Sequence, residues 1–187
     1  MPDRASIELW INNRLSQQLN VAVTFWTDVY ADHSSYSLDN NFENSVALVA
    51  SSLDNCKMDA TYRLSRTNHV TNESAHGGDT IHATYPSTMT ERVRLNLQDM
   101  QPSLLISKQW NPWPDETCTS AHGCSVPAIA FTATASQIQF EDSKGRLQME
   151  HDDLIPIGND SEGLRIVRAL HDEAVLCGAK DVTTNLY

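Results

Sequence analysis

Three residues of the kind that bind metal or act as nucleophiles crowd the stretch QWNPWPDETCTSAHGC (residues 109–124): Cys118, His122 and Cys124. Thiolate and imidazole are zinc ligands, but a closed structural site needs a further ligand, and five residues separate these cysteines, where short C-x-x-C-like spacings are the rule. Three readings stay open: a loop carrying two thiols or a local bridge, a metal site completed from elsewhere, and a reactive thiol at Cys118 activated by His122. A second group, His69, His76 and His82, spans NHVTNESAHGGDTIHATY, with Gly77-Gly78 permitting a tight turn and Asp79 between the last two histidines. Imidazole beside carboxylate suits a metal or a base and its orienting partner. The same residues also read as a solvated loop entering a strand. His151-Asp152-Asp153 and His171-Asp172-Glu173 place acids beside histidines, and adjacent residues on a helix do not face one another, so these read as surface charge.

Trp110 and Trp113 lie in the same stretch, in QWNPWP. Pro112 and Pro114 have no amide donor and stiffen the backbone, so the tryptophans belong to a rigid loop at a strand end. An indole held there suits the boundary between water and lipid headgroups, or the face of a sugar or apolar ligand. The alternative is that both rings close one end of a core.

The elements that would position these groups are mostly strands. Val21, Val23 and Phe25, then Met58, Ala60, Tyr62 and Leu64, then Val93, Leu95 and Leu97 each alternate with polar or small residues at the strand period. SVALVASS, HATY, SLLISKQW and the Ile129–Phe131 segment add short strands, and EDSKG turns a hairpin across residues 137–150. Strands at this spacing predict an antiparallel β-sandwich or barrel with one C-terminal α-helix. That helix is placed at about 161–177, after the cap signal Asn159-Asp160-Ser161, with Leu164, Val167, Leu170 or His171, Ala174 and Val175 as its stripe and Gly178 at its end. Residues 6–19 fit either period. Ile7, Leu9 and Ile11 followed by Asn12-Asn13 read as a strand and turn, and Ile7, Trp10, Ile11, Leu15 and Leu19 read as the stripe of a helix capped by Ser6; the strand is preferred. Tracts 32–44, 67–79 and 110–127 read as loops.

With 187 residues, the chain is one domain, strand-rich over 1–155 and ending in a short tail at 179–187. Thirteen basic against twenty-four acidic residues give a charge of -11, which repels phosphate backbones and argues against a nucleic-acid partner. MPDRASIELW has no signal-peptide pattern, so a cytoplasmic location, or export without a classical signal, is expected, with Cys56, Cys118, Cys124 and Cys177 as free thiols. The motifs G-x-S-x-G, H-E-x-x-H, G-x-G-x-x-G, C-x-x-C and the P-loop are missing from the sequence, so no cofactor or metal is assigned.

SIELWINN near the start and TERVRLNLQDMQPSLLISKQWNPWP later resemble, in order and in tryptophan–proline punctuation, the aegerolysins, small acidic β-sandwich proteins. The chain is longer than that family's domain and lacks its glycine-rich middle. The resemblance implies a β-sandwich that recognises membrane lipid or another amphipathic ligand without catalysis, and carries over Trp110 and Trp113 as ligand-contacting residues. The competing expectation is a small-molecule enzyme of isomerase, cyclase or lyase type, with His76, Asp79, His82, Cys118 and His122 doing acid–base work. Strands and aromatic loops also fit self-assembly into a homo-oligomer.

Overall fold

A computed structural model describes residues 3–33, 36–74, 80–121 and 123–180. The chain opens with a helix, α1 (Arg4–Gln18), in place of the preferred strand. Asp3 caps it by accepting the Ser6 amide at 2.8 Å, and Ile7, Ile11 and Leu15, one turn apart, are its buried stripe. Asn12, read as a turn residue, uses its amide as a stand-in strand neighbour. It donates to the Leu53 carbonyl at 2.7 Å and accepts the Leu53 amide at 2.8 Å.

Four long strands follow: β1 (Val23–His33), β2 (Tyr36–Asp54), β3 (Lys57–Ser74) and β4 (Ile81–Asn96). Six shorter ones complete the set: β5 (Ile106–Trp110), β6 (Thr117–Cys118), β7 (Val126–Thr132), β8 (Ile138–Glu141), β9 (Leu147–Glu150) and β10 (Asp152–Pro156). They build one antiparallel sheet in the order β6-β1-β2-β3-β4-β8-β9 and a second in the order β10-β7-β5. The two sheets are not closed into a barrel. The turn between β2 and β3 is a two-residue loop, Asn55 and Cys56, with φ of 48° and 66°, the left-handed pair that a tight hairpin needs.

The predicted C-terminal helix is present as α2 (Asp160–Leu176). Asn159 accepts the Ser161 amide at 2.9 Å, and Gly178, at φ 91°, lets the Ala179 amide close back on Ala174 at 2.9 Å. Its buried face is Gly163, Ile166, Leu170, Glu173 and Ala174. Gly163 is small by necessity, because a Cβ there would stand 2.3 Å from Ile157 Cδ1 and 2.9 Å from Ser107 Oγ. One core joins both helices to both sheets through Ile11, Leu15, Leu48, Met58, Ile129, Phe131, Ile155 and Ile166, all fully buried.

Residues 36–44 and 67–74, expected as loops, are strand, the outer parts of β2 and β3. Their Asn, Asp, Ser and Thr content imitates a loop because this part of the sheet is open to water on both sides, so the chain needs few apolar residues there. Among the described residues of the three tracts, only those of 110–127 are largely irregular. The free thiols are also corrected: Cys56 is bonded to Cys177 and Cys118 to Cys124. No described helix is long and apolar enough to cross a membrane.

Candidate functional site

The tryptophan–proline loop is built inward. Trp113 packs against Phe25 at 5.7 Å between ring centroids and lies 5.3 Å from the Arg66 guanidinium. Trp110 meets Tyr62 edge-on at 5.8 Å. Both indoles are half-buried against the core. Glu116 ties the loop down by pairing with Arg66 at 2.5 Å and accepting the Thr27 hydroxyl at 2.6 Å. The Cys118–Cys124 bridge and the short β6–β1 pairing complete the attachment. Of the three readings of that segment, the local bridge is the one present, so Cys118 carries no free thiol.

His76, Asp79 and His122 lie outside the described residues. His82 is exposed on β4, its Nδ1 3.3 Å from the Thr71 hydroxyl. His69 stacks near Trp26 at 5.6 Å, and its Nε2 is buried without a partner. By register, Trp26, His69 and His82 share the polar face of the large sheet. Among the described residues, the one cluster with metal-ligand chemistry is Cys56, Glu173 and Cys177, whose sulfurs are already joined to each other.

A groove of about 480 Å³ runs over one face of the small sheet. Strand alternation and register set its floor, because Ile106, Ala130 and Leu154 are cross-strand neighbours, Thr132 pairs with Asp152, and Trp110 stands at the end of β5. Leu104 and Ile106 are 44% and 47% exposed. Tyr62 enters from the large sheet, and Lys108 and Asp152 stand at the rim. The result is an apolar strip with an aromatic end, Lys108 and Asp152 at its rim and a second carboxyl, Asp153, in its lining.

Burial makes the electrostatics of the groove unusual. Asp153 accepts its neighbour Leu154's amide at 2.7 Å through Oδ1, while Oδ2 is buried with no partner. Desolvation pushes its carboxyl up to about 7; the Leu154 amide opposes that, and the charges of Glu150 and Glu91 add to it. The Tyr62 hydroxyl is pushed far upward, first by burial and then by Glu91, its cross-strand partner, so it stays a neutral phenol. Asp152 is held below the usual carboxylate range, first by the Thr132 hydroxyl and then by His151, whose Nδ1 is 3.0 Å away.

Among the described residues, Trp110 is thus the one expected site residue that the groove gathers in. Tyr62, Lys108 and Asp153 had no motif to announce them; the signal available was the alternation Ile106, Lys108, Trp110 along a strand whose partner faces cannot be read from sequence. No family model matches the chain, no curated protein and no solved structure matches it significantly, and the likeness to aegerolysins gains no support from these comparisons.

Proposed function

We propose that the protein is a non-catalytic binding protein for a single amphipathic molecule, a lipid or lipid-like amphiphile with a zwitterionic headgroup, held in the Trp110 groove. The observation that carries this reading is the pairing of an aliphatic strip, exposed at Leu104 and Ile106, half-buried at Leu154 and floored by the buried Ala130, with Lys108 and Asp152 at its rim. An acyl chain on the strip would cover apolar surface worth about 25 cal/mol per Å² removed from water. The headgroup anion would meet Lys108 and its cation Asp152. The net charge of -11 disfavours strongly anionic bilayers, which fits a zwitterionic partner. Trp110 would contact the ligand along one edge, while Trp113 stays structural. Two disulfides fit an oxidising compartment and favour export over a cytoplasmic location.

A phosphocholine detergent below its micelle concentration tests this. Addition should blue-shift tryptophan emission and protect Lys108 from acylation, and Ile106→Asp should abolish both effects without lowering the melting temperature. If wild-type protein ignores the detergent and zwitterionic vesicles alike, the reading fails.

One observation favours an enzyme instead. Asp153, near Tyr62 and Glu91, is a carboxyl poised near neutral pH beside a groove, the condition for general acid–base work. The acid–base role would then pass from His76, Asp79, His82, Cys118 and His122 to Asp153. Turnover of any bound small molecule that disappears in Asp153→Asn while binding persists would establish it.

A further inference from the structure

The bridge between Cys56 and Cys177 sits in surroundings that a purely structural link does not need. It joins the β2–β3 turn to the end of α2 across 121 residues of sequence. Cys56 is buried, whereas Cys177 is partly exposed, so an incoming reagent meets Cys177 first. The Arg4 guanidinium points Nη1 at Cys56 Sγ from 3.7 Å. Glu173 has no exposed surface, lies one helical turn before Cys177 with Oε1 3.6 Å from its sulfur, and leaves Oε2 without a partner. Glu8 closes the group by accepting the Cys56 amide at 3.1 Å, and Arg4 Nε stands 3.7 Å from Glu8 and 3.8 Å from Glu173. Burying a carboxyl with an oxygen unsatisfied is costly, so its place against a disulfide calls for a use.

We propose that Cys56–Cys177 is a thiol–disulfide exchange centre, opened at Cys177 by an external thiol, with Arg4 holding the departing Cys56 thiolate and Glu173 as the buried proton carrier. The thiolate of a small thiol or a protein dithiol attacks Cys177 Sγ along the S–S axis. A mixed disulfide forms, the S–S electron pair leaves on Cys56 Sγ, and the Glu173 carboxylic acid passes its proton to that sulfur. A second thiolate attacks the reagent's sulfur, and Cys177 leaves and is protonated in turn. Two external thiols become one disulfide, their two electrons reduce the bridge, and their two protons end on Cys56 and Cys177. Arg4 supplies the nearby positive charge that lowers a thiol's pKa and makes it a better leaving group. Burial, then the charge of Glu8 and a hydrogen bond with its carboxyl, push Glu173 up against the opposing charge of Arg4, so the Glu173–Glu8 pair holds a proton that Glu173 can give near neutral pH.

The test uses the whole chain with Cys118→Ser and Cys124→Ser, so that every thiol released belongs to this bridge; should that background not fold, mass mapping of alkylated cysteines in the wild type gives the same rates. Reduction by dithiothreitol without denaturant should rise linearly with thiolate concentration and run well ahead of global unfolding. Glu173→Gln should slow it by about tenfold or more and remove the inflection near pH 7 from rates corrected for thiolate fraction. Arg4→Gln should also slow it, and Arg4→Lys should restore part of the rate. A rate that saturates at the unfolding rate would make the bridge a structural staple and overturn the proposal. So would a Glu173→Gln variant with an unchanged rate and pH profile.

Discussion

The long strands β1 to β4 pass through two environments. In their inner halves, the rows Val23–Val46–Leu64 and Leu53–Met58–Leu95 face the core shared with the helices and the small sheet. In their outer halves, the same face continues as Val29–Asn40–Val70–Ala83 and Ala31–Leu38–Asn72–Ile81, with Val29 41% and Ile81 62% exposed. The strands do not stop where the core does. What ends it is a polar layer, in which Asn44 donates to Thr27 at 2.8 Å and Glu116 joins Thr27 to Arg66, whose guanidinium lies 3.4 Å from the Phe42 ring. The Trp113 loop closes over that layer. A sheet of one continuous register can thus hold a tightly buried half and an open half, divided by side chains and not by a break in hydrogen bonding.

The largest difference between the halves should come from the covalent links. Cys56–Cys177 closes a long loop at the buried end, and Cys118–Cys124 a six-residue separation at the boundary. Loop-closure entropy makes the first worth about 5 kcal/mol and the second about 2. Paired serine variants compared by urea unfolding should show that order, and equal losses would mean that the unfolded chain is not what the long bridge restrains. Next come the side chains. Phe131→Ala, on the small sheet that shares the core of the buried half, should cost about 3–5 kcal/mol. Tyr85→Ala, 61% exposed in the outer half, should stay within about 0.5 kcal/mol.

How much of this division can be read in advance follows from the same contrast. Strands of the inner half are legible, because Met58, Ala60, Tyr62 and Leu64 alternate against a real core. The outer half is not, because where both faces meet water the alternation loses amplitude, and residues 67–74 look like a loop. The C-terminal helix is legible from Asn159 and Gly178, yet its buried face is turned from the apolar stripe. Leu164 and Val175 are about half exposed, while Gly163 and Glu173 face inward. A buried glutamate looks like a surface residue until the disulfide beside it is seen. Asp3 and the Ile7, Ile11, Leu15 stripe outweigh the β-branched residues of the first segment, and Asn12 misleads because its partner, Leu53, is distant in sequence.

Two raised carboxyls, both at the buried half, make a smaller pH-dependent prediction. Asp153 and Glu173 bind protons more tightly in the folded chain than the roughly pH 4 of unfolded carboxyls. The folded state therefore carries more protons between about pH 4 and pH 7, and stability falls as pH rises through that window and levels off above it. Asp153→Asn should remove its share of the slope. The variant should match the wild type near pH 4 and be the more stable of the two at pH 8, as measured by urea midpoints. A gap that shrinks as pH rises would contradict the assignment.

The smallest effect is expected from Val70→Thr, near the middle of the open apolar face. Val70 is half-buried, with Asn40 and Ala83 as its cross-strand neighbours, and threonine keeps the β-branched shape that strands favour. If the added hydroxyl meets water, the cost should stay within about 0.5 kcal/mol, independent of protein concentration. The outer stretches of β1 and β4 also lack a second strand neighbour among the described residues, since β6 pairs only with Thr27 and Asp28 of β1, and β8 only with Arg92 to Arg94 of β4. Pro86 on β4 is the kind of residue that keeps such an edge from pairing further. If a second copy of the chain nevertheless covers this face in solution, Val70→Thr would bury an unpaired hydroxyl. The loss would then rise to about 1–3 kcal/mol, and the melting temperature would climb with protein concentration. A concentration-independent melting temperature together with a near-neutral Val70→Thr leaves the outer half as a free surface and the division within the four strands complete.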